Sequence, residues 1–152
     1  MPTMALHFLV AMLAAGGPAF AVEWGDAPGA VREVVTTTHP DAEIREVKKA
    51  RHRAKPAYQI EIREAEGRVR LEVAADGTIR EERAEVRPED LPESVAAALD
   101  EGFPAPLAIE SVEKVVTTRG RRSRTTYEVE MTADGQLYRV VASAAGSIIN
   151  VD

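Results

Sequence analysis

Apolar residues follow two different spacings along this chain. In two stretches they recur every four residues: Val31 and Val35, then Val95, Leu99 and Phe103. Such spacing aligns side chains on one stripe of a helix. Pro40 and Pro104 close the two stretches, because proline cannot continue a helix. Asp90-Leu91-Pro92-Glu93 has the form of a capping box, with Asp90 at the N-cap and Glu93 three residues on. Gly29 and Thr36-Thr37-Thr38 weaken the first helix relative to the second.

Elsewhere the spacing is two, the signature of strands with one buried face. Tyr58, Ile60 and Ile62 alternate with Gln59, Glu61 and Arg63, and Val69, Leu71 and Val73 alternate with Arg68, Arg70 and Glu72. Asp76-Gly77 then marks a hairpin turn leading to Thr78-Ile79-Arg80. Tyr127, Val129 and Met131 alternate with Glu128 and Glu130, Asp134-Gly135 turns, and Leu137 to Ala142 returns. Leu137 and Val141 break the alternation by being apolar on the polar side. One apolar and one charged face predict an antiparallel sheet covered by helix on a single side.

The chain also matches itself. Asp26-Ala27-Pro28 returns as Asp90-Leu91-Pro92, Val31 as Val95, Val35 as Leu99 and His39-Pro40 as Phe103-Pro104, all 64 apart. Ile44, Val47 and Lys49 match Ile109, Val112 and Lys114 at 65, and Tyr58, Ile60 and Ile62 match Tyr127, Val129 and Met131 at 69. The offset changes only where loops are expected, and loops tolerate insertion. The expected fold class is therefore α+β, two tandem α-β-β-β(β) repeats, each with one helix packed on one face of an antiparallel sheet. The units run over 22–90 and 91–152, and each carries a formal charge of −3.

Ahead of them, Met4 to Ala15 is apolar apart from His7, and Ala19-Phe20-Ala21 follows Gly16-Gly17-Pro18. This is the pattern of a signal peptide over 1–21, cleaved after Ala21, although no Lys or Arg precedes the apolar run. The run falls short of the roughly 20 residues a membrane span needs. The expected location is the periplasm or the exterior, with no stable membrane span after cleavage.

The pattern resembles the PepSY-like domains, the group that includes the β-lactamase-inhibitor-like fold. The residues carrying the resemblance are Leu91-Pro92-Glu93-Ser94-Val95, Gly102-Phe103-Pro104, Ile109 to Lys114, Thr126 to Glu130 and Ala145-Gly146-Ser147-Ile148. The first unit matches less well, with His39 where the second has Phe103. The resemblance implies a small, non-catalytic extracytoplasmic module with inhibitory, peptide-binding or regulatory roles. It carries no functional residue set.

Composition removes chemistry more than it supplies it. The chain has no cysteine, which excludes a thiol nucleophile, a disulfide framework and cysteine-ligated zinc. A net charge of −6 and 5% aromatic residues argue against nucleic acid as a partner. His39 and His52 lie on different elements without zinc-ligand spacing. No serine stands in G-x-S-x-G, Glu128 and Glu130 share an open strand face, and the acids Glu81, Glu82, Glu85, Glu89 and Asp90 are interrupted by Arg83 and Arg87. The latter stretch is expected to be a solvated linker, and neither an enzyme nor a cofactor or metal site is expected.

What remains is basic charge in matching places. Lys48, Lys49, Arg51, His52, Arg53 and Lys55 fill the link between the first two strands of unit one, and Arg119, Arg121, Arg122 and Arg124 fill the same link in unit two. Two basic tips on an acidic body suit an anionic partner, and arginine forms bidentate pairs with carboxylate or phosphate. The expected function is an exported binding module, a peptidase inhibitor or envelope regulator acting by contact with another extracytoplasmic protein or an anionic envelope component. The alternative is a carrier or sensor of a small anionic ligand or cell-envelope fragment. Homodimerisation is left open.

Overall fold

A computed structural model describes residues 19–152. The expected signal peptide thus lies outside the described residues, save its last three, of which Phe20–Ala21 form a two-residue strand, β1, against Lys48 and Lys49.

The apolar stripes form two ten-residue helices, α1 at Gly29–Thr38 and α2 at Glu93–Gly102. Val31, Val35, Val95 and Leu99 are each at most 1% exposed. The threonines of α1 are accommodated because the Thr36 and Thr38 hydroxyls donate to the Arg32 and Val34 carbonyls, both at 2.7 Å. The capping box does not form. Pro92 is the N-cap of α2, no side chain caps it, and Glu93 is its first residue. Asp90 instead ends a 3-10 turn, Pro88–Asp90, where it accepts from Arg87 Nε at 3.0 Å.

The strands that follow are β2 (Glu43–His52), β3 (Lys55–Glu64), β4 (Gly67–Ala74) and β5 (Ile79–Val86). After α2 come β6 (Leu107–Arg119), β7 (Arg122–Ala133), β8 (Gln136–Ser143) and β9 (Ile148–Val151). Ile44 and Val47, like Ile109 and Val112, are three apart, which a regular strand would put on opposite faces. Bulges between Ile44 and Glu46 and between Ile109 and Ser111 restore the phase.

The α+β expectation of two tandem α-β-β-β(β) repeats, each a helix on its own sheet, is overturned. All nine strands form one antiparallel sheet in sequence order. The join is β5, which pairs with β6 from Glu81↔Thr117 to Val86↔Val112. Among the described residues the protein is mostly this nine-stranded sheet, with two short α-helices. The acidic stretch read as a solvated linker is largely β5, a central strand.

Both helices lie on one side. Ala84 packs with the α1 core, and Val86, two residues along the same strand, packs with the α2 core. Residues two apart on a strand share a face. One core gathers Val31, Val35, Ile60, Ile62, Leu71 and Val73, the other Val95, Leu99, Val129, Met131 and Val140. Truncating any of these to alanine costs about 2–5 kcal/mol for the larger side chains. Tyr58 and Tyr127 are buried in these cores, and Trp24 packs against the first. The other side of the sheet carries the charges.

Candidate functional site

On the uncovered face, strand pairing sets charges beside one another. Arg70 lies opposite Arg83, and Glu113 is flanked by Glu85 on β5 and Glu128 on β7. Arg83 resolves the conflict. Its Nε donates to Glu81 at 2.5 Å, and its Nη1 donates to Glu113 and Glu128, both at 3.0 Å. Arg70 Nη2 donates to both oxygens of Glu113, at 2.9 and 2.7 Å. Burial works against the Arg83 charge, but the hydrogen bonds and attraction of Glu81, Glu113 and Glu128 outweigh it and raise its pKa above the ordinary arginine value. Farther out, Arg68 donates to Glu85 and Arg139 to Glu130. Each glutamate at the middle of this face is therefore already held by an arginine.

The two basic segments stand at one end of the same face. They are mostly strand rather than loop: Lys48, Lys49 and Arg51 lie on β2, Lys55 on β3, Arg119 on β6, and Arg122 and Arg124 on β7. Only Arg53 and Arg121 occupy turns. Arg53 and Ala54 have φ of +50° and +63°, and Gly120 has +60°. These values belong to tight hairpin turns whose twist matches the flanking strands.

A groove of about 530 Å³ runs between the two hairpins. His52, Arg53 and Lys55 line one side, Thr117, Arg119 and Gly120 the other, and between them β4 contributes Glu72, the β4–β5 turn Thr78, and β5 Arg80, Glu81 and Arg83. A second hollow of about 620 Å³ shares Glu81, Arg83, Thr117 and Arg119 and adds Arg122, Arg124, Glu128, Val115, Val141 and Ile149. Residues from both basic segments thus border the first hollow, and the second adjoins it along Glu81, Arg83, Thr117 and Arg119. Among the described residues, Lys49, Arg51, Arg53, Lys55, Arg119, Arg121, Arg122 and Arg124 make no ion pair, whereas Lys48 bridges to Glu46 at 3.2 Å.

The structure does not bring all the candidates together. Lys49, opposite Tyr58, and Arg51, two residues on, lie on the helix side, and neither hollow includes Lys48 or Arg121. Sequence reasoning missed Arg70, Arg80 and Arg83. The signal was there in Ile79–Val86, where Glu81, Arg83 and Glu85 alternate with Glu82, Ala84 and Val86.

Other chemistry finds no assembly. His39 Nδ1 contacts Glu64, and its Nε2 lies 3.6 Å from Glu82. His52 Nδ1 is 3.1 Å from Glu72 but lacks hydrogen-bond alignment. Each imidazole thus faces glutamate rather than serine. Glu128 and Glu130 are held by Arg83 and Arg139. Among the described residues no three metal-ligating side chains cluster, and no helix is long and apolar enough to cross a membrane.

Comparison with known proteins rests on shape. No family model matches the chain, and no curated protein matches it. A Bacteroides eggerthii protein described as periplasmic superposes with a TM-score of 0.65 at 13% identity, over 83% of this chain and 88% of that one. A DUF2874 family protein from Bacteroides uniformis gives 0.63 at 15%, over 83% and 88%. A BLIP-like protein from Bacteroides fragilis gives 0.59 at 15%, over 82% and 85%. The fold is BLIP-like. That fold accounts for the sheet-dominated architecture that replaced the expected repeats. At these identities the BLIP-like neighbours share a backbone arrangement with the chain, and its recess must be read from its own residues.

Proposed function

We propose that this protein is an exported binding module that docks an acidic segment of another extracytoplasmic protein into the recess between its basic hairpins. The observation supporting this is the division of charge on the open face. The central glutamates are paired internally, while Arg53, Lys55, Arg119, Arg122 and Arg124 remain exposed and without ion pairs at its rim. Guanidinium groups at a rim steer an anionic partner and bind its carboxylates in pairs. The protein acts by occupying that partner, as an inhibitor or regulator of a peptidase would. The BLIP-like likeness favours protein contact over catalysis, and the PepSY-like sequence pattern points the same way. Export rests on the leader over 1–21, removed after Ala21, and on periplasmic neighbours of the same fold.

Affinity capture from envelope extract tests this with the wild type beside an Arg119→Gln, Arg122→Gln, Arg124→Gln variant. The wild type should retain a specific protein that salt releases, and the variant should lose it. Equal retention with equal salt dependence would overturn the reading. Recess volumes of about 530 and 620 Å³ also suit a small ligand, the ground for the alternative of an anionic carrier or sensor. A carrier would instead gain melting temperature from the small anion alone, by about 2.7 kcal/mol of stability at a hundred times Kd.

A further inference from the structure

The sheet ends very differently on its two sides. Beyond the two residues of β1, the outer edge of β2 carries Arg45, Glu46, Lys48, Lys49 and Arg51, charges that discourage a further strand. At the other end, β9 carries no Lys, Arg, Asp or Glu between Ile148 and Val151. Five large apolar side chains are exposed among the described residues, and four of them, Leu137, Ile148, Ile149 and Val151, lie on β8 and β9. Edge backbone groups lined by apolar side chains make a template for strand addition.

The pattern on β9 identifies what fits. Ile148 and Val151 pair with Ala142 and Val140, which belong to the α2 core, so both lie on the helix side. Asn150 pairs with Val141, and Ile149 lines the charged-face hollow beside Val141, so both lie on the open side. The bulge between these pairings makes the facing sequence helix side, open side, open side, helix side. That order is the same read in either direction. An antiparallel strand with the same order meets it with every side chain on the matching face, Ile148 opposite Val151 and Ile149 opposite Asn150.

We propose that β9 is a homodimerisation edge, pairing antiparallel with β9 of a second copy about a two-fold axis normal to the sheet. A two-fold interface must be self-complementary, and this edge is. The sheet then continues from one protomer into its partner, with the helices of both on one side and both basic recesses on the other. A four-residue strand buries less than the roughly 1,200 Å² at the low end of standard interfaces, the class of weak and transient contacts, so the dimer is to be sought across the micromolar range.

Sedimentation equilibrium across that range, on the protein as its cell processes it, tests the proposal with two variants. Ile149→Lys places charge on the edge at an exposed position. Val151→Pro keeps an apolar side chain but removes an outward N–H, because the backbone bonds to β8 are made by the neighbouring Asp152, which exchanges both with Arg139. Each variant should keep the wild-type circular dichroism and melting temperature and raise the dimer Kd about tenfold or more, a change of about 1.4 kcal/mol. The Arg119→Gln, Arg122→Gln, Arg124→Gln variant should dimerise as the wild type does, which separates this edge from the recess. A wild type that stays monomeric throughout, or a dimer indifferent to both edge variants, would overturn the proposal.

Discussion

Two glycine-to-alanine substitutions at left-handed turn positions should differ about twofold in cost, for a reason visible at α2. Gly146 lies in the β8–β9 turn with φ of +89°, and Gly135 lies in the β7–β8 turn with φ of +77°. Placing alanine in the left-handed region costs about 1–2 kcal/mol at either position. At Gly135 nothing lies within 4 Å of the added Cβ, so that cost is the whole effect. At Gly146 the Cβ would sit 2.5 Å from the Ser94 carbonyl oxygen, in the first turn of α2, and 3.3 Å from Ser94 Cβ. The Ser94 hydroxyl donates to the Ala144 carbonyl at 2.9 Å, so helix and turn are also tied together and cannot part freely. Overpacking of this kind adds about 1–3 kcal/mol, giving a total of about 3 kcal/mol for Gly146→Ala. In a domain of this size that lowers Tm by about 12 °C, against about 6 °C for Gly135→Ala. Urea unfolding followed by circular dichroism measures both. If the two variants lie within about 0.5 kcal/mol of each other, the close approach of turn to helix does not hold, since only the contact distinguishes them.

Three further outcomes follow from the charged face and its rim. Arg83→Leu leaves Glu81 and Glu128 without an arginine and Glu113 with Arg70 alone, and should cost about 2 kcal/mol at neutral pH, between the values for exposed and buried pairs. A variant whose urea midpoint matches the wild type would contradict the network. Replacing Arg53-Ala54 by Asn-Gly should stabilise the protein by about 1 kcal/mol, because both positions have positive φ; an unchanged urea midpoint would refute the turn assignment. Acidification should also release the β4–β5 turn: the Thr78 backbone N–H holds the Asp76 carboxyl below its ordinary range, so its contribution is present above the ordinary carboxylate pKa and lost as pH falls through the lower folded value. Asp76→Asn should flatten that acid limb of the stability profile, and an unaltered limb would exclude Asp76 as a source.

Much of the local structure was legible because it depends on spacing. Val31 and Val35, Tyr58 to Ile62, and Val69 to Val73 announce their elements by period alone, and all are buried as the period requires. The joining strand was not legible for a definite reason. Ile79–Val86 has Glu82 and Ala84 where a core-facing strand would have large apolar residues, and its other face is wholly charged. Glu82 is tolerated on the helix side near His39 Nε2, and Arg83 is tolerated because β6 and β7 bring Glu113 and Glu128 to it. None of those partners is near β5 in sequence, so hydropathy alone makes the segment a linker. The capping box failed for a simpler reason: Pro92, with φ of −54°, occupies the position from which a side chain would have to cap.

The merging of the sheet is also what turns two basic segments into one recess. On separate sheets, the β2–β3 and β6–β7 hairpins would have no fixed relation, and their charges would be two independent solvated tips. With β3, β4, β5 and β6 hydrogen-bonded in order, the facing strands of the two hairpins stand three strand spacings apart along one edge of the face, with β4 and β5 between them. Neighbouring strands are about 4.8 Å apart, so Lys55 on β3 and Arg119 on β6 stand roughly 14 Å apart across the face, enough room for one extended chain between them. Arg83 matters at this point because it removes the repulsion an acidic ligand would otherwise meet on the floor of the recess. The three glutamates it holds would otherwise leave the centre of the face negative. The positive rim can therefore act on a ligand only because the middle of β5 is a closed ion-pair network, and Arg83→Leu should weaken acidic-partner capture even though Arg83 is three-quarters shielded from solvent or more.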